Sequence, residues 1–544
     1  MDIKGLKAVA DYLFGKKSPL NSLHQEIADN FYPERADFTL TRSIGTDFAA
    51  NLMSSYPVVC RRDLGNQFST MLRPTARPWF HTARKYAKTE NTDVKTYLEW
   101  FEETQRKAMY DPHALFTRAT KEADHDFAAF GQTVLSVELN KNANGLLYRT
   151  WHLRDVCWQE NDEGKIGFIA RKWKPTAQTL ARTFKDRVDP KVTKLLDKTP
   201  FEEIDCMHFV VEADMYDDHA KGRPRWSIWY DCANDKLMEA TPIWGKHYII
   251  PRWQTVSGSQ YSYSPASVCA LPDARLLQAM TFTLLEAGEK ATSPPMIATQ
   301  GVVRSDLAVY AGGVTWVDEE YDERLGAALR PIEQDFRGFN YGIQMNQDTR
   351  SMLHRAFFLD ALTLPQRAPE MTAYEVGQRV QEYIRNALPI FEPMEMEYNA
   401  ALCDETFDIL WRNGGFGNPG SWPKELRGAE IEFNFESPLH DAIEEQKGQK
   451  FQQAQALIGS AIALDPSCAF LPKTEVALRD ALMGVGIPAT WMNSEAYVKE
   501  QKANQQAMQQ KQQTLANMEQ ASNAAKNIGQ SGMVPQQQSG VAQA

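Results

Sequence analysis

The sequence lacks the signatures of cofactor-dependent and metal-dependent enzymes. Its seven cysteines are far apart, include no C-x-x-C pair and are odd in number, which disfavours a zinc knuckle or a disulfide framework. They are Cys60, Cys157, Cys206, Cys232, Cys269, Cys403 and Cys468. No P-loop, GxGxxG, HExxH or GxSxG motif occurs. We therefore expect a protein of a reducing compartment with no catalytic residue, no metal and no cofactor.

Long apolar runs and an excess of positive charge are also missing. No stretch approaches the roughly 20 apolar residues that span a membrane, so no membrane association is expected. Asp2, Lys7 and Asp11 interrupt the N-terminal apolar stretch, which predicts a short amphipathic helix rather than a signal peptide. The net charge is -11, and no concentrated basic stripe is evident. Because phosphate-neutralising proteins usually carry a basic excess, any DNA contact is expected to be loose and independent of sequence.

What the sequence does contain is a succession of helical and strand-like patterns. Its 544 residues exceed what one core normally serves, so two or more packed units are expected. Apolar residues at helical spacing predict helices over 20–72, 94–110 and 115–130. Between 132 and 211 the period shifts toward two and predicts strands, with a hairpin turn at Asn144-Gly145, and further strands are predicted up to 251. The predicted fold class is α+β, predominantly helical.

Two helices of similar length flank a short acidic segment. The first is predicted from Asp273 to Ala291 and the second over 339–359. The apolar face of the first helix carries Leu277, Met280 and Leu284. Between the helices, 293–337 holds eight acidic residues and four arginines. This order predicts a hairpin whose shaft packs against neighbouring helices and whose tip projects. The acidic run 318–323 fits either a solvated surface, or a docking face or repulsive channel lining.

The stretch after the second helix is predicted to be a loop. Both prolines of 362–369 remove a backbone donor and restrain the residue before them. Thr372 and Glu375 then form a capping box that begins a further, proline-kinked helix. At the C-terminus, 501–544 is rich in Gln and almost without large apolar residues, so it cannot fold alone. It is predicted to be disordered, or a weak helix stabilised only by side-by-side copies.

Two further patterns have ordinary structural interpretations. Asp124-His125-Asp126 cannot converge on one metal ion, because successive helical side chains point about 100° apart. We predict a solvated helix face there. The thirteen tryptophans are predicted to pack in cores rather than to form a carbohydrate-binding surface. The tryptophans on which this interpretation depends are Trp79, Trp151, Trp173, Trp226 and Trp244.

A set of short motifs, in this order, resembles the head-to-tail connector (portal) family of short-tailed, podovirus-type bacteriophages. The motifs are Arg73-Pro74 through Trp79-Phe80, Asp126 to Thr133, Tyr263 to Ala266, Leu271 to Asp273, Glu289-Lys290 with Pro294-Pro295, Met371 to Val376, and Glu436 to Leu439. They extend from about residue 70 to 440. None is specific alone, but the ordered set is hard to explain otherwise.

The resemblance implies a dodecamer, a ring of twelve copies around a central DNA channel, built from wing, stem, clip and crown regions. The implied regions are a wing over 1–264, β-rich at 132–251, stem helices over 265–292 and 338–360, a clip over 293–337, a channel loop over 361–371, a long kinked helix and wing return over 372–435, a crown over 436–500 and a Gln-rich tail or helical barrel over 501–544.

The same resemblance implies residue roles and partners. Leu364, Gln366 and Arg367 are implied to face DNA in the channel. Val314, Trp316, Asp318, Glu319 and Glu320 are implied to dock the packaging motor and then the tail adaptor. Leu277, Met280 and Leu284 are implied to pack the stem. The implied partners are further copies of the chain, double-stranded DNA, the packaging terminase, a tail adaptor and the major capsid protein. The implied location is the portal vertex of the virion, after synthesis in the host cytoplasm.

Two alternatives from other classes remain at this point. One is a carbohydrate-active hydrolase, because aromatic residues and carboxylates are plentiful. The other is a different head or tail adaptor subunit, which would lack the arrangement of two stem helices around a clip.

Overall fold

The structure is a computed structural model, and it describes most of the chain. The described residues are 1–43, 45–75, 78–86, 92–217, 222–298, 329–332, 337–362, 394–418, 422–435, 453–461 and 495–530, with isolated positions of one to three residues between them. They belong to two compact units. The larger comprises Met1–His81, Glu103–Gly417 and Phe433–Ala442, and the smaller Thr82–Glu102, Asn418–Glu432 and Ile443–Ala544.

Helices make up most of the described chain. They are α1 (Ile3–Phe31), α2 (Tyr56–Leu72), α3 (Thr92–Met109), α4 (Phe116–Phe130), α5 (Ala177–Phe184), α6 (Pro190–Lys198), α7 (Ala213–Tyr216), α8 (Pro265–Thr292), α9 (Arg337–Ala356), α10 (Leu359–Leu362), α11 (Ala400–Arg412) and α12 (Glu495–Gln530). A π-helical turn, Glu395–Asn399, precedes α11. The helices expected over 94–110 and 115–130 are thereby confirmed.

The strands form small antiparallel sheets rather than one large sheet. They are β1 (Phe80–Arg84), β2 (Val134–Leu139), β3 (Leu146–Trp151), β4 (Val156–Glu160), β5 (Ile166–Trp173), β6 (Cys206–Glu212), β7 (Arg225–Asp231), β8 (Lys236–Ile243), β9 (Tyr248–Ile249), β10 (Gln254–Thr255), β11 (Ser262–Tyr263), β12 (Met296–Ala298), β13 (Leu329–Pro331) and β14 (Ile431–Phe435). The largest sheet has the order β4-β5-β6-β7-β8, and a second has β3-β2-β9. The α+β class, predominantly helical, is confirmed.

The five-stranded sheet is covered on both faces. One face packs Phe168, Phe209 and Ile228 against Leu6 and Ala10 of α1. Alternate residues of the same strands turn to the other side, as the period of two requires. There Ile169 and Val210 join the main core, which includes α4 and the first half of α8. Cys206 and Met238 lie under α5 and α6 in a separate core.

Three sequence predictions about helix boundaries are wrong. The N-terminal helix is not short: α1 runs 29 residues through Pro19, because both its halves pack on cores. The stretch 45–52 consists of turns rather than helix. The helix expected from Asp273 begins eight residues earlier, since Ser264 caps it and Pro265 occupies its first turn. Burial of Ala266 and Ala270 offsets the cost of Pro272 inside α8.

The predicted solvated face at Asp124-His125-Asp126 is also wrong, because both carboxylates are fully buried. Each successive side chain of α4 meets a different arginine. Asp124 forms an ion pair with Arg73, whose other nitrogen donates to Asn399 Oδ1 at 2.8 Å. Asp126 accepts from Arg35 Nη2 at 2.8 Å. The three successive side chains point in different directions, so they cannot bind one metal ion together. For the same reason, each of them can contact a different arginine.

His125 receives the third arginine. Arg61 Nη1 lies 3.1 Å from His125 Nδ1, and since a guanidinium only donates, that nitrogen accepts. Burial, and next the charge of Arg61, lower the pKa of His125 to about 4. The imidazole is therefore neutral near pH 7 and serves as an acceptor.

The prediction that the tryptophans pack in cores is confirmed in part. Trp79 and Trp158 are fully buried. Trp151, Trp173 and Trp226 are half-buried. Trp244 is largely exposed beneath the guanidinium of Arg412, 4.2 Å from its ring centre.

Lys17 is a buried cation without a carboxylate partner among the described residues. Its Nζ donates to the carbonyls of Leu153 and Val156 at 2.6 and 2.7 Å, and lies 5.1 Å from the centre of the Trp158 ring. Burial lowers the pKa of Lys17 to about 7. The ammonium thus ties α1 to the start of β4 at an electrostatic cost.

We expect Asp124→Ala to lower the free energy of unfolding by about 3–5 kcal/mol, because Arg73 would remain buried without its counter-ion. The control is Glu122→Ala on the same helix, whose exposed pair with Arg118 contributes under about 1 kcal/mol. Urea unfolding followed by tryptophan fluorescence measures both. Equal losses for Asp124→Ala and Glu122→Ala would contradict this role.

Lys17 also predicts a pH dependence. Its pKa is lower in the folded chain, so the unfolded chain binds more protons between pH 7 and 10, and stability rises with pH there. We expect the wild type to gain about 1.4 kcal/mol per pH unit over Lys17→Met between pH 7.5 and 9. Urea titrations at several pH values measure this gain, with the exposed Lys16→Met as control. Parallel curves for wild type and Lys17→Met would refute the prediction.

Candidate functional site

The candidate site is the helical hairpin of α8 and α9, and its base is a tight joint between α8 and α4. Ser264 Oγ donates to Ala128 O at 2.7 Å and accepts from Ser267 N as the cap of α8. Ser262 Oγ donates to Gly131 O at 2.6 Å. Gly131 ends α4 with a φ of 71°, and a Cβ there would overlap the backbone of Tyr263. The motifs around 126–133 and 263–266 are thus the two halves of one joint.

The first half of α8 is embedded and the second half is not. Buried side chains of α8 end at Leu277. Next along the helix, Gln278 clamps the loop before α2: its Oε1 accepts from Met53 N and Ser54 N at 2.8 Å, and its Nε2 donates to Ser54 O at 2.8 Å. From there to Thr292 no side chain is fully buried. The outer half of α8 therefore projects from the core as an arm.

The two helices of the arm pack through small and polar residues. Thr281 Oγ1 accepts from Asn346 Nδ2 at 3.2 Å, and Asn346 is itself buried. Gly342 lies so close to Leu284 that a Cβ there would stand 2.9 Å from its Cδ2. Near Met280 the helices leave a cleft of about 400 Å³. This contact is thin compared with the base, where Leu277 and Leu353 are fully buried.

Apolar side chains also cover the outward faces of the arm. Phe282 and Leu285 are 53% and 54% exposed on α8. Tyr341, Met345 and Met352 are 48–74% exposed on α9. The contacts between α8 and α9 described above use other residues, Thr281 with Asn346 and Leu284 with Gly342. We call Phe282 and Leu285 the α8 stripe, and Tyr341, Met345 and Met352 the α9 stripe.

The expected stem residues all lie on α8. Leu277 is buried at the base, and Met280 and Leu284 line the cleft against α9. Sequence reasoning missed both outward stripes. The signal was available, since Phe282 and Leu285 are apolar but lie outside the repeat that contains Leu277 and Leu284.

At the far end of the arm the chain begins a two-stranded sheet. Met296 pairs with Pro331 and Ile297 with Arg330, in antiparallel register. Trp316 is described and exposed. The other four residues expected at this tip, Val314, Asp318, Glu319 and Glu320, lie outside the described residues.

The residues expected in the channel also lie outside the described part of the chain. Leu364, Gln366 and Arg367 fall in 363–391, outside the described residues, as does the capping box at Thr372. The π-helical turn beyond them is held firmly by two arginines. Arg73 donates to Asn399, and Arg252 pairs with Glu397 at 3.3 Å.

Metal-ligand clusters and membrane-spanning helices are both absent from the described part of the chain. No cluster of three His, Cys, Asp or Glu side chains there could hold a metal ion. Likewise, none of the described helices is both long and apolar enough to cross a membrane. Apolar association is what the exposed arm can provide.

Comparisons with known proteins agree with one another. The chain is 23% identical over 435 residues to a "Probable portal protein" of Bordetella phage BPP-1, covering 77% of this chain and 76% of that protein. It is 21% identical over 480 residues to a "Portal protein" of Salmonella phage epsilon15, covering 85% and 83%. These relatives give no support to the hydrolase alternative.

A solved structure and a family description complete the comparison. A chain of the "Virion of native gene transfer agent (GTA) particle" is 10% identical and covers 80% of this chain and 94% of its own, with a TM-score of 0.36, too low to decide the arrangement of elements. The family described as "Bacteriophage head to tail connecting protein" matches residues 4–492. With nearly the whole sequence matched, the chain belongs to the bacteriophage head-to-tail connecting proteins.

Proposed function

We propose that copies of this chain close into a ring that serves as the portal of a tailed phage, through which DNA is packaged and ejected. The observation that carries the proposal is the family match over 4–492, supported by two relatives that bear the name portal protein. The chain's role is structural: it is a component of the phage particle, positioned at the portal vertex.

The two stripes support a ring rather than a symmetric dimer. They lie on different helices and differ in composition, so one stripe of a copy can meet the other stripe of the next copy. Such a heterologous contact repeats from copy to copy and closes when the rotation allows. Because Phe282 and Leu285 are each already about half buried, burying the remainder contributes about 0.8–1.6 kcal/mol for each side chain. The number of copies, twelve, is taken from the family resemblance.

The regions then take the roles that the resemblance implies. The wing is 1–264, the arm supplies the stem over 265–292 and 338–360, and 436–500 forms the crown. The tip, 293–337, is the clip. There Val314, Trp316, Asp318, Glu319 and Glu320 dock the terminase and afterwards the tail adaptor. The wing contacts the major capsid protein.

The C-terminal tail fits a helical barrel better than an isolated helix. Every described side chain of α12 from 499 to 523 is exposed, and Met508, Leu515 and Met518 are among them. A helix whose described side chains from 499 to 523 are all exposed gains little stability from them, because helices depend on packing of an apolar face. Association of tails from neighbouring copies supplies that packing.

Phe282→Asp with Leu285→Asp is expected to prevent ring closure, because the new carboxylates would enter the apolar contact. Light scattering and electron micrographs should show a protomer of 61.7 kDa where the wild type forms rings. The control, Tyr12→Asp with Leu40→Asp, changes two other exposed apolar residues by the same charge and should leave rings intact.

Mixing variants tests the pairing of the stripes themselves. Tyr341→Asp with Met345→Asp damages only the α9 stripe. Mixed with the α8-stripe variant, it should form a one-to-one dimer and nothing larger, because one intact contact remains. Rings in either variant alone, or no dimer in the mixture, would contradict this pairing.

Arg367→Ala is expected to reduce DNA retention in filled heads, because the proposed channel loop would lose its cation. Packaged length is measured by gel electrophoresis of extracted DNA, and retention by nuclease sensitivity. Arg118→Ala, on the exposed face of α4, is the control. Wild-type length and retention in Arg367→Ala would place Arg367 outside the channel.

A further inference from the structure

Between β5 and β6 the chain inserts two short helices, α5 and α6, that form a body of their own. Ala177, Leu180 and Val192 are fully buried beneath them, on Cys206 and Met238 of the sheet. Thr176 caps α5 by accepting from Thr179 N at 3.3 Å, and Asp189 caps α6 by accepting from Lys191 N at 2.9 Å. The insertion is therefore well anchored, and its outward faces are set by the core beneath.

Those outward faces are basic in an otherwise acidic chain. Residues 177–198 hold six basic and three acidic side chains, a net charge of +3, and the whole insertion 174–205 holds seven basic and six acidic ones, where the whole chain has a net charge of -11. The six basic residues are Arg182, Lys185, Arg187, Lys191, Lys194 and Lys198, and all are exposed. The acidic ones are Asp186, Asp189 and Asp197, of which Asp189 is engaged as a helix cap.

Most of these cations have no counter-ion within the described chain. Arg187 is the exception, with Glu239 Oε1 at 2.9 Å. A seventh cation approaches from the sheet, because Lys236 Nζ donates to Val188 O at 2.8 Å. Lys191, Lys194 and Lys198 have the spacing i, i+3, i+7 and so share one face of α6. Their Cα atoms span about 10 Å along the axis, which covers about three phosphates on one strand of a duplex.

The chemistry of this face favours a nucleic acid over a protein. Lysine is depleted in protein interfaces, whose centres are apolar and aromatic. Along 174–205 one large apolar side chain, Phe201, is exposed. Lysines on flexible stems bind phosphates as point charges and read no base sequence.

We propose that the exposed face of α5 and α6, centred on Lys191, Lys194 and Lys198, is a sequence-independent binding surface for the backbone of double-stranded DNA, on the proposed wing rather than at the proposed channel loop. The choice of duplex DNA as the polyanion rests on the proposed portal function. The DNA bound there would lie along the surface of α5 and α6.

The test uses the full-length protein and a covalently closed circular duplex, which cannot thread through a ring. Filter binding between 50 and 200 mM salt gives the salt dependence of the affinity. The test variant combines Lys191→Gln, Lys194→Gln and Lys198→Gln. In this variant the slope of log affinity against log salt should become less steep by about 2–3, and the affinity at 100 mM salt should fall at least tenfold.

The control variant carries Lys16→Gln, Lys121→Gln and Lys141→Gln, three exposed lysines elsewhere, for the same change in net charge. It should retain the wild-type slope. Equal slopes in the two triple variants would overturn the proposal. So would a loss of binding to poly-glutamate without a loss of DNA binding, which would identify an acidic protein partner. Ring formation is measured on the same samples by light scattering, so a failure of the portal function is distinguished from a failure of this surface.

Discussion

The structure of the larger unit depends on the burial of α4. A helix with three polar residues in succession can enter a core only if each finds a partner in its own direction. Arg73, Arg61 and Arg35 provide these partners from the end of α2, from within α2 and from the turn after α1. The same helix ends at Gly131, whose lack of a side chain admits the start of α8. One buried helix thus positions the base of the arm.

Beyond that base, the contact between α8 and α9 differs from the buried joint between α4 and α8. The two helices of the arm meet through Thr281 and Asn346 and through the close approach of Leu284 to Gly342. The larger side chains Phe282 and Tyr341 face outward instead. Exposed apolar surface of this kind is unfavourable in a solitary protomer and marks an interaction site. In the proposed ring, contacts between copies cover this surface of the arm.

Strong local patterns allowed much of the fold to be predicted. The alternation at 134–139, with Asn144-Gly145 after it, predicts the β2–β3 hairpin, and that hairpin is observed. The prediction failed where packing outweighed a local breaker. Pro19 lies within α1 and Pro272 within α8, because contacts with the cores offset the lost hydrogen bonds. It also failed for Asp124, since spacing along a helix cannot reveal which arginine approaches from elsewhere in the chain.

The sequence by itself determined the fold class, several of the elements and the family, because periodicity, turn residues and ordered motifs are local. It also contained every residue of the arm and of the basic face on α6. Only the tertiary structure decided which of these residues are exposed at the surface, where they can bind a partner. Leu277 is fully buried in the core, whereas Phe282, five residues later, is exposed. Likewise, Lys17 is buried, whereas Lys191, Lys194 and Lys198 are exposed on one face of α6. Exposure depends on which distant segments cover a face, and the linear pattern does not carry that information.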